Sequence, residues 1–470
     1  MKKILYMACL LIATTQADAQ SVAQKLEEAI VQMEADPVFK HAIIGLCVVN
    51  TNTGEQIFGN QEQTGLAPAS TQKLFTSAAA FELLGKDSRF YTRIAIDQPI
   101  QQGVLNGDLI ITGSGDPTLG SWRWASTKEK AVMDQVLTIL RNNKVHTIKG
   151  NIWIDDRSYT QDPLPGGWIW TDMGNYYGAG CWGLNWHENQ YDLTLAAGDC
   201  CGGLTTVKSI SPSMPNFQLT NNIRVGKQGS GDNGYIYAAP FSNKAFTEGT
   251  IPANEKSFTI SGSMPQPGLA FGELLKSRLV QAGIKFSGKV QTSSGAWLFG
   301  QVPPKPTAML DSIASPTLDS INYWFLQKSV NLFGEALLKK MAWQKNGNAS
   351  TEEGANLLID FWQSKGIDKG AVNIMDGSGL SPQNRVTTDA LVRVLQFAKD
   401  RPWFSSFHYS LPLYNGMKMK SGSIGGSRAF AGYHTAKDGT KYTFAIIINN
   451  YNGGSGETVK KMYRVLDILK

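Results

Sequence analysis

Apolar positions recur at helical spacing from residue 22 to 35 and then give way to a continuous apolar run from Ile43 to Val49. Asn52-Thr53-Gly54 separates that run from Gln56 to Phe58, a pattern that predicts two strands about a hairpin turn. A helix is predicted to begin near Ser70, with Leu74, Phe75, Ala78, Phe81 and Leu84 as its apolar stripe and Gly85 as its stop. From about residue 90 to 305 the texture changes to short β-like runs, such as Val104 to Thr112 and Gly150 to Ile154, broken by Gly, Pro, Asn and Asp. One helix, Lys128 to Asn142, is expected inside this insertion, and residues 165 to 187 are dense in Gly, Trp and Tyr. The Pro-rich stretch Val302 to Thr307 reads as a linker back to the first part of the chain.

Helical patterns return at Leu318 to Gln327, Asn331 to Gln344, Glu352 to Ser364 and Thr388 to Lys399. Strands are predicted around Gly416 to Ser423, Arg428 to His434 and Tyr442 to Asn449, and a last helix at Thr458 to Leu469. Strands at both ends with helices between them predict one α/β domain whose sheet is assembled from distant parts of the chain. There is no internal repeat and no low-complexity segment.

The first residues change the picture of where the chain works. Met1-Lys2-Lys3, an apolar run from Ile4 to Ala13 and the small-residue triplet Ala17-Asp18-Ala19 have the layout of a cleaved secretory signal, so residues 1–19 are expected to be removed on export. That run is too short to remain as a membrane span, and no later stretch approaches the roughly 20 apolar residues a span needs. A soluble periplasmic or extracellular protein is expected. Cys9 lies inside the apolar run rather than after it, which argues against lipidation.

About 450 remaining residues exceed what one core usually supports, so two or three domains are expected. Losing two lysines and one aspartate with residues 1–19 takes the formal charge from +6 to +5. That excess is mild and unclustered, which gives no case for nucleic acid but would not repel an anionic wall polymer. Cys47, Cys181, Cys200 and Cys201 remain in a compartment where disulfides persist. Cys181 with Cys200 or Cys201 is the candidate pair, since both fall in one Gly- and Trp-rich region, while Cys47 reads as a buried free thiol. Their spacing offers no zinc ligand set, and neither metal nor cofactor is expected.

Three short motifs carry candidate chemistry. Ser70-Thr71-Gln72-Lys73 is the only place where Lys follows Ser by three positions; at a helix start this puts both side chains on one face. A serine hydroxyl needs a neighbour to take its proton, and a desolvated lysine can be neutral enough to do so. Alone, the string is as well explained by a helix cap and a solvated lysine. Ser329-Val330-Asn331, just before a helix, offers a hydroxyl to relay a proton and an amide to hold a substrate amide. The same pattern stands at Ser320-Ile321-Asn322, and capping is its commonest use. Lys420-Ser421-Gly422, followed by Ser423 in a predicted strand, pairs a cation and a hydroxyl suited to a terminal carboxylate with a glycine that lets a peptide come close. Backbone donors of Ser70 and Ser423 can then form an oxyanion hole.

Together and in this order, the three resemble the SxxK, SxN and K(S/T)G set of penicillin-binding proteins and serine β-lactamases. The insertion of about 200 residues between the first and second motifs resembles one branch, the type-four penicillin-binding proteins, which are D-alanyl-D-alanine carboxypeptidases and endopeptidases. Gly113-Ser114-Gly115-Asp116-Pro117-Thr118-Leu119, Asp376-Gly377-Ser378-Gly379-Leu380-Ser381, Lys328 to Asn331 with Gly334 to Leu338, and Arg428 to Tyr433 carry the resemblance across the mature chain.

The resemblance implies a transpeptidase-like α/β domain from residues 20–90 and 305–470, with an antiparallel sheet flanked by helices. Mostly β domains are nested in it, one from 91–115 and 200–304, another from 116–199. It implies Ser70 as nucleophile, Lys73 as base, Ser329 as relay, and Asn331, Lys420, Ser421, Gly422 and Ser423 as substrate contacts. The partners implied are peptidoglycan stem peptides as substrate and penicillins as acylating inhibitors; oligomeric state stays open. Val330 and Ser421 depart from the commonest motif letters but keep the needed groups. Trp170-Thr171-Asp172-Met173 looks like the turn whose aspartate, in relatives acting on diaminopimelate peptides, reads the free end of that side chain, so Asp172 is a candidate with Tyr177 beside it. Gly425 and Pro382 stand where some relatives carry polar contacts.

A β-lactamase would need a dedicated deacylating group, and no motif supplies one. There is no GxSxG, and the five histidines are scattered, which disfavours a Ser-His-Asp esterase or a metallohydrolase. A non-catalytic wall-binding protein should have lost one of the three motifs, and all remain.

Overall fold

The computed structural model describes residues 20–160, 162–347 and 349–470, so the expected signal segment, Cys9 included, lies outside the described residues. Its central sheet has six antiparallel strands in the order Gln56–Asn60, Ile43–Asn50, Lys441–Asn449, Ser427–Thr435, Met417–Ile424 and Leu413–Tyr414. Sequence ends 400 residues apart thus share one ladder, with Leu46 opposite Ile446 and Lys420 opposite Ala431. Both faces are covered, which is why these strands read as nearly continuous apolar runs rather than as alternation.

One face, with Leu46, Val48, Phe430, Phe444, Ile446 and Ile448, packs on the first and last helices, Val22–Glu34 and Ser455–Leu466. The other, with Cys47, Val49, Ala429, Ala431, Ala445 and Ile447, packs on a helical layer that includes Lys73–Leu84, Asn331–Asn346 and Thr388–Lys399. The small residues Ala429, Ala431 and Ala445 let helices approach the sheet closely on this side, where the motifs meet.

The insertion builds two further cores. A five-stranded mixed sheet runs Val290–Thr292, Ile152–Asp155, Leu109–Thr112, Tyr91–Ile96 and Ala308–Ala314. Helices Glu129–Asn142 and Pro267–Gln281 cover one face of it through Val132, Val136, Leu140, Phe271 and Leu275. The second of these was not legible as a helix. Strands Gln190–Ala196, Phe258–Ser263 and Lys244–Ile251 with their neighbours enclose a smaller core around Tyr191, Leu193, Ile236 and Ile251.

Strand pairing crosses two of the expected domain bounds. Ile152–Asp155 lies between strands from both sides of the expected 116–199 domain, so that segment is not self-contained. Ala308–Ala314 still pairs with Tyr91–Ile96, so the return to the central sheet comes after residue 314, not at the Pro-rich stretch. The expected Cys181 pairing is also corrected, because all four described cysteines are free. Cys181 is fully buried, while Cys200 and Cys201 are exposed. No helix among the described residues is long and apolar enough to cross a membrane.

Candidate active site

Ser70 sits in a single 3-10 turn, Ala69–Gln72, that runs directly into the helix Lys73–Leu84. Ala69, just before it, has φ +48, a left-handed conformation that costs an L-residue about 1 kcal/mol and persists only where packing dictates it. The packing is visible: a Cβ on Gly379 would stand 2.0 Å from the Ala69 carbonyl oxygen, so the Gly377–Gly379 loop presses on the turn that presents Ser70.

Lys73 is the first residue of its helix and is completely buried. Its Nζ lies 2.9 Å from Ser70 Oγ and donates to Asn331 Oδ1 and to the Ser378 carbonyl, both at 2.7 Å. Burial pushes its pKa down from 10.5 to about 7, against the opposing pull of the Asp376 and Glu335 carboxyls. At neutral pH much of it is a free amine beside a serine hydroxyl. The spacing of three residues delivers the pair, and desolvation supplies the basicity.

The loop that receives Lys73 is held by Asp376. Its Oδ1 accepts from Gln72 Nε2 at 3.1 Å, Gly379 N at 2.7 Å and Asn384 Nδ2 at 3.1 Å; its Oδ2 accepts from Trp168 Nε1 at 2.9 Å and Ser381 N at 2.7 Å. Five donors on one buried carboxylate fix the Ser378 carbonyl where Lys73 needs it. Beneath it, Glu335 accepts from Gly377 N at 3.0 Å, and burial raises its pKa to about 8, with Asp376 adding to the effect. Lys339, one turn further along, is buried too and donates to the carbonyls of Asp162 and Cys181 at 3.0 and 3.1 Å, tying the insertion to the catalytic helix.

The second motif meets the first through Asn331, whose Nδ2 donates to the Tyr177 carbonyl at 2.7 Å while Oδ1 accepts from Lys73. Ser329 joins helices Leu318–Gln327 and Asn331–Asn346 with φ +56 and lines the groove beside Ser70; it is not among the partners of Lys73. The rival Ser320-Ile321-Asn322 is structural: Asn322 is buried and accepts from Ser77 Oγ at 2.6 Å, and Ser320 accepts from Trp124 Nε1 at 2.8 Å.

The third motif lies on the strand Met417–Ile424, directly against the nucleophile turn. A Cβ on Gly422 would stand 2.5 Å from the Pro68 carbonyl oxygen and 3.1 Å from Ser70 N, so glycine is required by the close approach. Lys420 is buried, its Nζ donates to the Ser421 carbonyl at 2.8 Å, and burial with the nearby Lys73 charge lowers its pKa well below the ordinary lysine value. Of this strand's four candidates Ser423 lines the groove, Ser421 is partly exposed, and Lys420 and Gly422 are buried.

The groove itself has a volume of about 990 Å³ and runs from Ser70, Ser329 and Asn331 to a wall supplied by the insertion. Asp172 and Tyr177 are on that wall, and the Asp172 carboxyl is held above its ordinary value by burial, which outweighs the opposing effect of the nearby Tyr177 hydroxyl. Sequence reasoning missed Asp376, Glu335 and Trp168 as supports of the base, and Arg123, Glu188, Tyr235 and Tyr237 as groove residues. Asp376 and Glu335 lay inside strings already noticed, but nothing local in them indicates a hub.

A model of the D-Ala-D-Ala carboxypeptidase 3 (S13) family matches residues 25–467. The chain is 27% identical to the D-alanyl-D-alanine carboxypeptidase of Actinomadura sp. (strain R39), over 91% of this chain and 82% of that protein. It is 25% identical to the D-alanyl-D-alanine carboxypeptidase DacB of Haemophilus influenzae, over 89% and 88% of the two. The crystal structure of penicillin binding protein 4 from H. influenzae superposes with a TM-score of 0.79 at 23% identity, covering 93% of this chain and 98% of that one, which shows the shared fold. With a match that runs through all three motifs, the chain belongs to the D-Ala-D-Ala carboxypeptidase 3 (S13) family.

Proposed function

We propose that this protein is a serine D-Ala-D-Ala carboxypeptidase of peptidoglycan stem peptides, working through an acyl-enzyme on Ser70 in the cell envelope after export. The observation that carries this reading is the contact of Ser70, Lys73 and Asn331 with a base whose pKa lies near 7. Neutral Lys73 takes the Ser70 proton as Oγ attacks the carbonyl between the two terminal D-alanines. The developing oxyanion is met by the backbone N–H groups of Ser70 and Ser423. Ser329 relays the proton to the departing D-alanine amine, and water then hydrolyses the ester by the reverse sequence.

Burial disfavours the ammonium form of Lys420, and a terminal carboxylate arriving in the groove would supply a counter-charge that favours it. Binding of an acidic chain end and orientation of the scissile bond are thereby coupled. Asp172 with Tyr177 faces the same groove and suits a cationic end on the third residue of the stem peptide. A structure of penicillin binding protein 4 from H. influenzae is complexed with a β-lactam, which supports β-lactams as acylating mimics here.

The test is release of free D-alanine from a stem pentapeptide bearing meso-diaminopimelate at its third position, compared with one whose third side chain is acetylated. The reading expects D-alanine from the first, a raised KM for the second, and convergence of the two in Asp172→Asn. No D-alanine from either peptide would overturn it.

A further inference from the structure

The insertion also reaches back to the two helices that flank the second motif, and there it delivers an arginine. The guanidinium of Arg123 forms a forked pair with Glu188, Nε to Oε1 at 2.7 Å and Nη2 to Oε2 at 3.0 Å, and Ser121 Oγ donates to the same Oε1 at 2.6 Å. The Cζ of this cation lies over the Trp324 ring, 5.1 Å from its centre, and over the Phe333 ring at 6.0 Å. Trp324 is in the helix that ends just before Ser329, and Phe333 is two residues after Asn331. One charged group therefore bridges both helices whose junction carries the second motif. Trp124 reinforces it, stacked on Phe333 at 6.1 Å and bonded to Ser320.

Both ends of this bridge are backbone that would not hold its shape unaided. His187, Glu188 and Asn189 have φ of +58, +52 and +53, three successive non-glycine residues in the left-handed region. The Asn189 side chain fixes that turn, accepting from Trp186 N at 2.8 Å and donating to the Gly180 carbonyl at 2.7 Å and to Asn185 Oδ1 at 2.6 Å. Its product is a fully buried Glu188 carboxylate aimed at Arg123. At the other end Ser329, at φ +56, is held in a left-handed conformation between two helices. Conformations of this kind persist where surroundings over-determine them, and they cluster at functional sites.

We infer that Arg123, fixed by Glu188, is a positioning residue for Ser329 and Asn331, so that the inserted region completes the catalytic centre instead of only walling the groove. This deepens, and rests on, the acyl-enzyme reading above. The consequence reaches the base: Asn331 Oδ1 accepts from Lys73 Nζ at 2.7 Å, so a loosened helix junction alters both the relay and the surroundings of the amine. Lysine cannot replace Arg123, because an ammonium has neither the fork nor the flat face.

The experiment measures the second-order rate of acylation by benzylpenicillin from pH 5 to 9 for the full chain and for Arg123→Ala, Arg123→Lys, Glu188→Gln and the double variant Arg123→Ala/Glu188→Ala, with thermal midpoints alongside. The inference expects losses of about 100-fold in Arg123→Ala, the size that misplacement of a catalytic group by about 1 Å produces. It expects no rescue by Arg123→Lys, a double variant no worse than Arg123→Ala, and a displaced pH midpoint. A merely structural role would lower the active fraction equally at every pH and leave the midpoint where it is; that result, or unchanged rates, overturns the inference. Should Arg123→Ala not fold, Arg123→Lys and Glu188→Gln carry the same test. Failure of the unsubstituted protein to acylate would instead sink the acyl-enzyme reading itself.

Discussion

The depressed pKa of Lys73 makes the rate of Ser70 acylation a titration of one amine. Moving a lysine from 10.5 to about 7 is worth roughly 5 kcal/mol at about 1.4 kcal/mol per unit, the net of burying the ammonium form against the pull of Asp376 and Glu335. At pH 7.4 about 70% of Lys73 is then neutral, against roughly 0.1% for an exposed lysine, a gain on the order of a thousandfold in available base. The sign follows from the role: a general base works deprotonated, so the rate climbs with pH through about 7 and then levels. At pH 5 it falls about 100-fold below the plateau. Stopped-flow or quenched acylation with benzylpenicillin from pH 5 to 9 reads this directly, with thermal unfolding at each pH to separate loss of base from loss of fold. A rate flat from pH 5 to 7, or one still rising tenfold per pH unit at pH 9, would refute the assignment of Lys73 as a base primed by burial.

Two other perturbations follow from the same geometry. Gly422→Ala places a methyl group 2.5 Å from the Pro68 carbonyl oxygen, so the nucleophile turn must shift; acylation is expected to fall by about 100-fold while the far-ultraviolet circular dichroism stays unchanged. Asp376→Asn removes one of the two carboxyls that hold the Lys73 pKa up, so the acylation midpoint should move to lower pH. Two or three of its five hydrogen bonds, according to which oxygen becomes the amide nitrogen, also become donor-to-donor clashes at about 1–3 kcal/mol each, a stability loss measurable by denaturant titration.

Two helices of the catalytic part were legible because each pairs one apolar stripe with a clear cap. Thr351–Ser364 and Thr388–Lys399 begin at Ser350 and Thr387, whose side chains accept from the third helical N–H. Pro267–Gln281 was not, because Gly268 and Gly272 interrupt its pattern. Those glycines are there for packing, since a Cβ on Gly272 would lie 2.4 Å from Val290 and one on Gly268 3.1 Å from Ile154. Close approach to the sheet thus erased the local signal that would have shown the helix.

The site divides in the same way. Ser70 and Lys73 are three residues apart across one turn, a spacing that offers the pair but becomes specific only together with the other two motifs, and Lys420 with Gly422 alternates on a strand. Which of two Ser-x-Asn strings matters was settled in the sequence by flanking residues and in space by Asn331 reaching Lys73. Asp376 gathers donors from Gln72, Trp168, Gly379, Ser381 and Asn384, a convergence of three distant segments that no local pattern encodes. Arg123 and Glu188 are likewise joined only by the fold, across 65 residues.

The central claim, an acyl-enzyme on Ser70, is tested most directly by intact-protein mass after incubation with benzylpenicillin, for the unsubstituted protein and for Ser70→Ala, with peptide mapping of the adduct. The account predicts one penicilloyl group per chain, located on Ser70, slow to decay and missing from Ser70→Ala. An adduct that forms elsewhere, or that survives in Ser70→Ala, would contradict it, as would the absence of any adduct on the unsubstituted protein.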